Sequence, residues 1–274
     1  MLKRWFGSLR VRLAYALAYG LKGVRERGFF TAGFWPPLPQ LLEVPALARA
    51  RSQANLYELA LRAHPGPRPA PRAILDIGCG AGGGLLYAHA AFPAARLAGV
   101  DVSGVALRNA WERLGKVQNL ELRLAAGDRT RLPPHSFDLI VSIGAVNAIG
   151  PSELLRECAR LLAPGGVVSI TAAFALEPAE VQVLFYAAAW QAGLVLRQVS
   201  EITAGTRAAL DHDRPWLETL VRQVPLPLRR GAREMAALPG TRRAKAMAEG
   251  RLRSYAVLVD HPSAQWEAPR LYAA

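Results

Sequence analysis

The stretch Ile74-Leu75-Asp76-Ile77-Gly78-Cys79-Gly80-Ala81-Gly82 constrains this chain more than any other. A short apolar run passes without a spacer into three glycines at alternate positions. Such a run, ended by glycines, reads as a buried strand feeding a tight turn. Glycine is needed where the backbone turns sharply and where a ligand must approach the main chain. A helical pattern over 82–92 follows, so the unit is strand, glycine turn, helix. That unit opens a doubly wound α/β fold.

The rest of the chain repeats the alternation. The pattern predicts strands near 72–77, 96–101, 120–125, 137–143, 165–171, 194–200 and 254–260. Helices are predicted over 82–92, 103–115, 151–163 and 177–192. Strands alternating with helices argue for a parallel sheet. Residues 202–253 are too many for a bare loop. Their arginine, leucine and proline content predicts helices over a substrate pocket. Prolines 65, 67, 69 and 71 mark a linker after His64, where a helix must stop. They divide an N-terminal helical region, 1–71, from a nucleotide-binding domain, 72–274, with its insertion at 202–253. A chain of 274 residues accommodates one such domain with an extension.

Acidic residues stand at the predicted strand ends. Asp76 stands two residues before the first glycine, Asp101 closes the second strand and Asp128 follows the third. A carboxylate at the second position can accept hydrogen bonds from both hydroxyls of a ribose. A glycine loop with such an acid suits a nicotinamide, a flavin or S-adenosylmethionine (SAM) alike. The spacing Asp-x-Gly-x-Gly-x-Gly departs from the three-glycine dinucleotide fingerprint. Ala126-Gly127-Asp128-Arg129 follows the third strand, and Leu161-Leu162-Ala163-Pro164-Gly165-Gly166 feeds the fifth. Taken together, these features resemble the class I SAM-dependent methyltransferases, over 72–175 by motif and to the C-terminus by element order.

The resemblance implies a Rossmann-like, seven-stranded, mostly parallel sheet with the last strand antiparallel and helices on both faces. It implies SAM as cofactor. Asp76, Gly78, Cys79, Gly80 and Gly82 would surround its methionine part, Asp101 and Val102 its ribose, and Asp128 and Arg129 its adenine. Ser142, Ile143 and Gly144 would line its reactive side. Phe29-Phe30-Thr31-Ala32-Gly33-Phe34-Trp35-Pro36 is similar to an aromatic stretch of the subgroup acting on polyketides, sterols, lipids and isoprenoids. Phe34, Trp35 and Asn147 would then border the substrate, with Asn147 also a candidate catalytic residue. Many relatives carry an acid and a histidine after strand four, where this chain has Gly144 and Asn147. His212, flanked by Asp211 and Asp213, is the remaining candidate base, since a carboxylate can orient an imidazole. The expected activity is methylation of a hydrophobic small molecule, with oxygen ranked before carbon. Carbon methylation of an isoprenoid or electron-rich carbon needs no strand-four base to activate the acceptor, and arginines 207, 214, 222, 229, 230 and 233 could hold an anionic head. A SAM-binding member without turnover, or an RNA or protein methyltransferase, are the rival readings.

Charge adds a partner question. The formal net charge is +13, and most of the excess precedes the glycine loop. Residues 2–27 read as a basic amphipathic helix, with Leu2, Trp5, Phe6, Leu9, Leu13, Leu17 and Val24 on one stripe. Such a helix can lie on an anionic membrane surface, cap an apolar pocket, or pack on its own core. Its uncharged run, Leu13 to Leu21, falls short of the ~20 residues a membrane span needs. Nucleic acid is disfavoured, because no recognition motif surrounds the basic residues. Cys79 and Cys158 form no disulfide framework, which fits a reducing, cytoplasmic setting. The five histidines are scattered, so no metal site is expected.

Overall fold

The computed structural model describes residues 17–62 and 70–263. Most of the leader and of the proline linker therefore lie outside the described residues. In chain order the elements are α1 (Lys22–Arg27), a 3-10 turn (Pro45–Ala50), α2 (Arg51–Leu61), β1 (Ala73–Ile77), α3 (Gly83–Ala91), β2 (Arg96–Asp101) and α4 (Gly104–Leu114). Then come β3 (Leu120–Leu124), β4 (Phe137–Ile143), α5 (Val146–Ile149), α6 (Pro151–Leu161), β5 (Leu162–Phe174), α7 (Pro178–Gln191) and β6 (Val195–Glu201). The helices α8 (Thr203–Arg222), α9 (Leu226–Met235) and α10 (Arg242–Ala248) precede β7 (Arg253–Asp260).

The strands form one sheet in the order β3-β2-β1-β4-β5-β7-β6. All pairs are parallel except those of β7, which runs antiparallel to both β5 and β6. Every residue of β1 is buried, as a central strand covered on both faces requires. Alternate side chains point to opposite faces. Ile74 and Leu139 join Leu85, Leu97 and Leu114 on one face, where Phe29, Leu47 and Tyr57 of the N-terminal region complete the same core. Leu75 and Ile140 join Leu154, Leu155, Cys158 and Phe185 on the other. The chain leaves β1 toward β2 and β3, then returns to β4 on the opposite side. The crevice at the carboxyl ends of β1 and β4 is thus the topological switch point, where open α/β sheets bind ligands.

Several boundaries differ from the sequence reading. The insertion expected at 202–253 forms three helices, and α8 runs 20 residues through Pro215. Strand β5 starts at Leu162, before the Pro164-Gly165-Gly166 turn expected ahead of it, because Leu162 already pairs with Phe137. A short helix, α5, follows β4. The leader is broken at Leu21, whose backbone is extended (φ −70°, ψ 133°). Leu17, on the apolar stripe of the leader, is exposed, while Ala18, Tyr19 and Val24 are buried. The break rotates the stripe, so the face that packs is chosen by α4 and α8 rather than by a continuous helical period. No helix among the described residues is long and apolar enough to cross a membrane.

Candidate active site

The glycine turn is built by main-chain bonds to the neighbouring strand. Gly78 N and Cys79 N both donate to Val100 O, at 2.7 and 3.1 Å. Gly78 and Gly80 adopt φ of +87° and +53°, conformations that other residues enter only under strain. Space excludes side chains too. A Cβ at Gly78 would lie 2.6 Å from Ala145 Cβ, and one at Gly80 would lie 2.4 Å from the Tyr19 hydroxyl. Tyr19 is held over the turn because Asn109 Nδ2 donates to its carbonyl at 2.7 Å. The strap that follows is fixed by Gly83 N donating to Gly28 O at 3.0 Å and by Arg113 Nε donating to Ala81 O at 3.1 Å.

Two carboxylates face this turn in different states. Asp76 is buried, and its Oδ2 accepts from Tyr57 Oη at 2.9 Å. Its Oδ1 is buried with no hydrogen-bond partner among the described residues. Burial pushes the Asp76 carboxyl from 3.8 up to about 7, against the Tyr57 bond and with help from the negative charge of Asp101. Asp101 is also raised by burial, opposed by the bonds it accepts from Gly80 N at 2.9 Å and Ser103 N at 2.8 Å. A buried carboxylate oxygen without a partner is costly unless a donor or cation meets it. The turn therefore fits a ligand bringing a positively charged nitrogen to Asp76, as the methionine part of SAM would. The Cys79 thiol is buried and pushed well above its ordinary range, which makes it a small spacer and not a nucleophile.

The other residues singled out in the sequence lie around the same crevice with different surroundings. Val102 is exposed beside Asp101. Asp128 and Arg129 are exposed on the turn after β3, which closes through an Ala126–Arg129 bridge. Between them and the sheet, Gly127 packs against Ile77 and Ile149. Ser142 is buried, and its hydroxyl donates to Ile77 O at 3.1 Å, tying β4 to β1. Ile143 is buried, and Gly144 is exposed with φ +76°. Asn147 Nδ2 donates to Ala173 O at 3.0 Å. Among the described residues, no side chain of 142–147 at this strand exit is a general base.

The aromatic strap covers the opening. A Cβ at Gly144 would lie 3.8 Å from Thr31 Oγ1. Phe34 packs on Gly205 of α8, and Trp35 N donates to Gly205 O at 3.0 Å. The Trp35-Pro36 peptide is cis. Trp35 stacks on His212, ring centroids 3.8 Å apart. His212 lies within α8, not in a turn, and its Nδ1 is 3.2 Å from Asp213 Oδ1. A carboxylate can only accept, so Nδ1 carries the proton and Nε2 is left as the base. Asp211 is exposed and pairs with Arg214.

Sequence reasoning did not single out Asp213 as a hub. This buried carboxylate also accepts from Arg27 at 3.1 Å, from Ser52 Oγ and from Gln53 Nε2 at 2.7 Å. It thus joins α1, α2 and α8 under the strap. Arg27 lies 3.9 Å over the Trp216 ring as well. Tyr57, Tyr19 and Arg27 were also missed. Tyr57 sits in an ordinary apolar helical stripe, and nothing local marks it. Among the described residues no group of His, Cys, Asp and Glu could hold a metal ion.

Residues 75–170 match the family model described as a methyltransferase domain. The trans-aconitate 2-methyltransferase of Paracidovorax citrulli is 32% identical over 105 residues, covering 38% of this chain and 40% of that protein. The ubiquinone biosynthesis O-methyltransferase of Thiobacillus denitrificans is 35% identical over 103 residues, covering 36% of this chain and 43% of that protein. The matched part thus spans about two fifths of each of these curated relatives. Among solved structures, Haemonchus contortus phosphoethanolamine N-methyltransferase 2, in complex with phosphomonomethylethanolamine and S-adenosylhomocysteine, superposes with a TM-score of 0.68. At 19% identity, covering 96% of this chain and 60% of that one, this likeness bears on the fold.

Proposed function

Because the core of this chain is a class I SAM-dependent methyltransferase domain, we propose that the protein methylates an oxygen of a hydrophobic small molecule, using SAM. The observation that carries the choice of oxygen is the His212–Asp213 pair, whose exposed imidazole stacks on Trp35 of the strap. Thr31, beside Gly144, and Trp35 are four residues apart, which limits their Cα separation to about 14 Å. The same strap segment touches both Gly144 and His212, which supports this reading. The relative named for ubiquinone biosynthesis is itself an O-methyltransferase.

In this reading Asp76 Oδ1 receives the ammonium of the methionine part. Asp101 turns toward the ribose, and Gly78, Gly80 and Gly82 allow the backbone to approach. Gly127, Asp128 and Arg129 border the adenine. When bound, SAM supplies a methyl group activated on a sulfonium. Asp213 keeps the His212 imidazole oriented, and Nε2 takes the acceptor's hydroxyl proton as the oxygen attacks the methyl carbon. Bound SAM would release the methyl group with the electron pair of the carbon–sulfur bond left on sulfur. Phe34 and Trp35 give the acceptor an apolar wall and exclude water. We read residues 1–71 as a cap on the 72–274 domain. The described end of the 2–27 leader supports closure of the pocket, since Tyr19 covers the glycine turn. Contact of the leader with an anionic membrane is the complementary reading for its undescribed part.

A second reading is methylation at carbon. It is favoured by the engagement of Ser142 and Asn147 with backbone carbonyls, which leaves strand four without a base. One experiment separates them. Calorimetric titration with SAM and S-adenosylhomocysteine, on the wild type and Asp101→Ala, tests the cofactor. Mass gain of one methyl group is then screened over polyphenols, lipids and prenyl diphosphates. Oxygen methylation that His212→Gln slows by about 10²–10⁴, with cofactor affinity unchanged, supports the first reading. Carbon methylation insensitive to His212 replaces it with the second. Binding of neither compound sinks both.

A further inference from the structure

Helix α9 buries none of its residues, whereas every other described helix buries at least one. Tertiary packing normally holds a helix this short, and a helix that buries no residue has room for another neighbour. Its exposed side chains are of two kinds. Leu226 is 75% exposed, Leu228 47% and Met235 40%. Leu228, Gly231 and Met235 share one helical face by their spacing, and Arg229, Arg230 and Arg233 occupy the other.

The surrounding charge is one-sided. From Arg222 to Lys245 the chain carries seven basic residues and a single acid, Glu234. That acid is engaged at the start of α10, where it accepts from Arg242 N and Arg243 N at 3.0 and 3.1 Å. Between α8 and α9 lies a groove of about 360 Å³ lined by Glu218, Val221, Arg222, Arg229, Arg233 and Leu238. Two of its guanidinium groups are fixed by carbonyls. Arg229 donates to Val224 O and Arg222 O, both at 2.8 Å, and Arg233 to Pro239 O at 3.1 Å. Glu218 lies 3.9 Å from Arg222 and offsets only part of the charge.

We propose that the α8–α9 corner docks on an anionic phospholipid surface. The arginine groove receives a phosphate head group, and Leu226 and Leu228 enter the interface. A soluble anion would use the arginines and leave the leucines in water. Exposed leucines and arginines on one short helix are the composition of an interfacial helix, and cations at such a surface are drawn by its negative potential. None of the residues lining the groove belongs to the glycine turn. The inference does not depend on the reaction proposed above. Its consequence for that reaction is supply, because α8 runs from this corner to His212, so an apolar acceptor dissolved in the membrane would leave it beside the strap.

The test is sedimentation of the full chain with vesicles of phosphatidylcholine alone or mixed with phosphatidylglycerol. The double variants Leu226→Glu/Leu228→Glu and Arg222→Glu/Arg230→Glu are compared with the wild type, with thermal unfolding and near-ultraviolet circular dichroism to verify the fold. Expected are binding only to the mixed vesicles and a loss of partitioning of roughly tenfold or more in each variant, with the fold intact. A variant lacking residues 1–16 should still bind. Binding that survives both double variants, or that vanishes only when the leader is removed, overturns the proposal. So does binding of inorganic phosphate or pyrophosphate, followed by titration, without any vesicle binding. Failure to bind any of these probes overturns it as well.

Discussion

Replacing Asp76 with asparagine should make the ligand-free protein more stable at neutral pH, even though Asp76 stands at the centre of the proposed cofactor site. Burial lifts this carboxyl from 3.8 to about 7. A group whose proton affinity is higher in the folded state gives its full stability contribution below the unfolded value, and loses it as pH rises through the folded value. The loss therefore accumulates between pH 3.8 and about 7. At about 1.4 kcal/mol per pH unit it reaches about 4 kcal/mol, then levels off. Asparagine never ionises and so avoids that loss. Its carbonyl can still accept from Tyr57, whose hydroxyl lies 2.9 Å from Asp76 Oδ2. Its amide takes the place of the unpartnered Oδ1, and an unsatisfied buried donor costs about 1–3 kcal/mol. The net expectation is a gain of about 1–3 kcal/mol for Asp76→Asn at pH 8, from about 4 less about 1–3. The gain should shrink by about 1.4 kcal/mol per pH unit below 7 and reverse sign near pH 5. Urea unfolding of both proteins, without ligand, at pH 5, 6, 7 and 8 measures it. SAM affinity should fall in the same variant, since the carboxylate that would meet its ammonium is gone. A stability difference that does not change with pH would refute the reasoning, because it would mean that Asp76 keeps an ordinary proton affinity in the fold.

Three further substitutions probe the surroundings of that site. Tyr57→Phe removes the only hydrogen-bond donor recorded at Asp76 among the described residues. It should destabilise by about 1.5–3 kcal/mol where Asp76 is ionised and by less near pH 5, in the same urea titration. Gly84→Ala would place a Cβ 1.9 Å from Tyr57 Cε1. Chemical denaturation should show a loss of about 1–3 kcal/mol or more from overpacking. Asp213→Ala leaves the Arg27 side chain, 12% exposed, without its partner, at a cost of about 3–5 kcal/mol. Arg27→Met in the same background should recover part of that cost, and additive effects of the two changes in a double-mutant cycle would count against the hub.

The sequence by itself determined whatever depends on neighbours along the chain. The run from Ile74 to Gly82 could only be a buried strand ending in a turn of positive φ, because three glycines at alternate positions suit little else. Alternating strand and helix periods specified a parallel doubly wound sheet, and with it the crevice beside Asp76 and Asp101. The boundaries of α3, α4 and α7 fell within a residue or two of the reading, since glycine, serine and proline at their starts act locally. Tertiary structure decided what no local period records. Leu162 joined a strand because Phe137 was there to pair with it, and Leu21 broke the leader so that Tyr19 could reach Gly80. Tyr57 reads as one more apolar residue of a helix until its hydroxyl is seen on Asp76, 19 positions away. Asp213 reads as a neighbour of His212 until Arg27, Ser52 and Gln53 converge on it from 160 to 186 positions away. Chain-local patterns fix which backbone shapes are affordable. Burial, the raised proton affinity of Asp76 and the partners of a buried charge arise only when distant segments exclude water together.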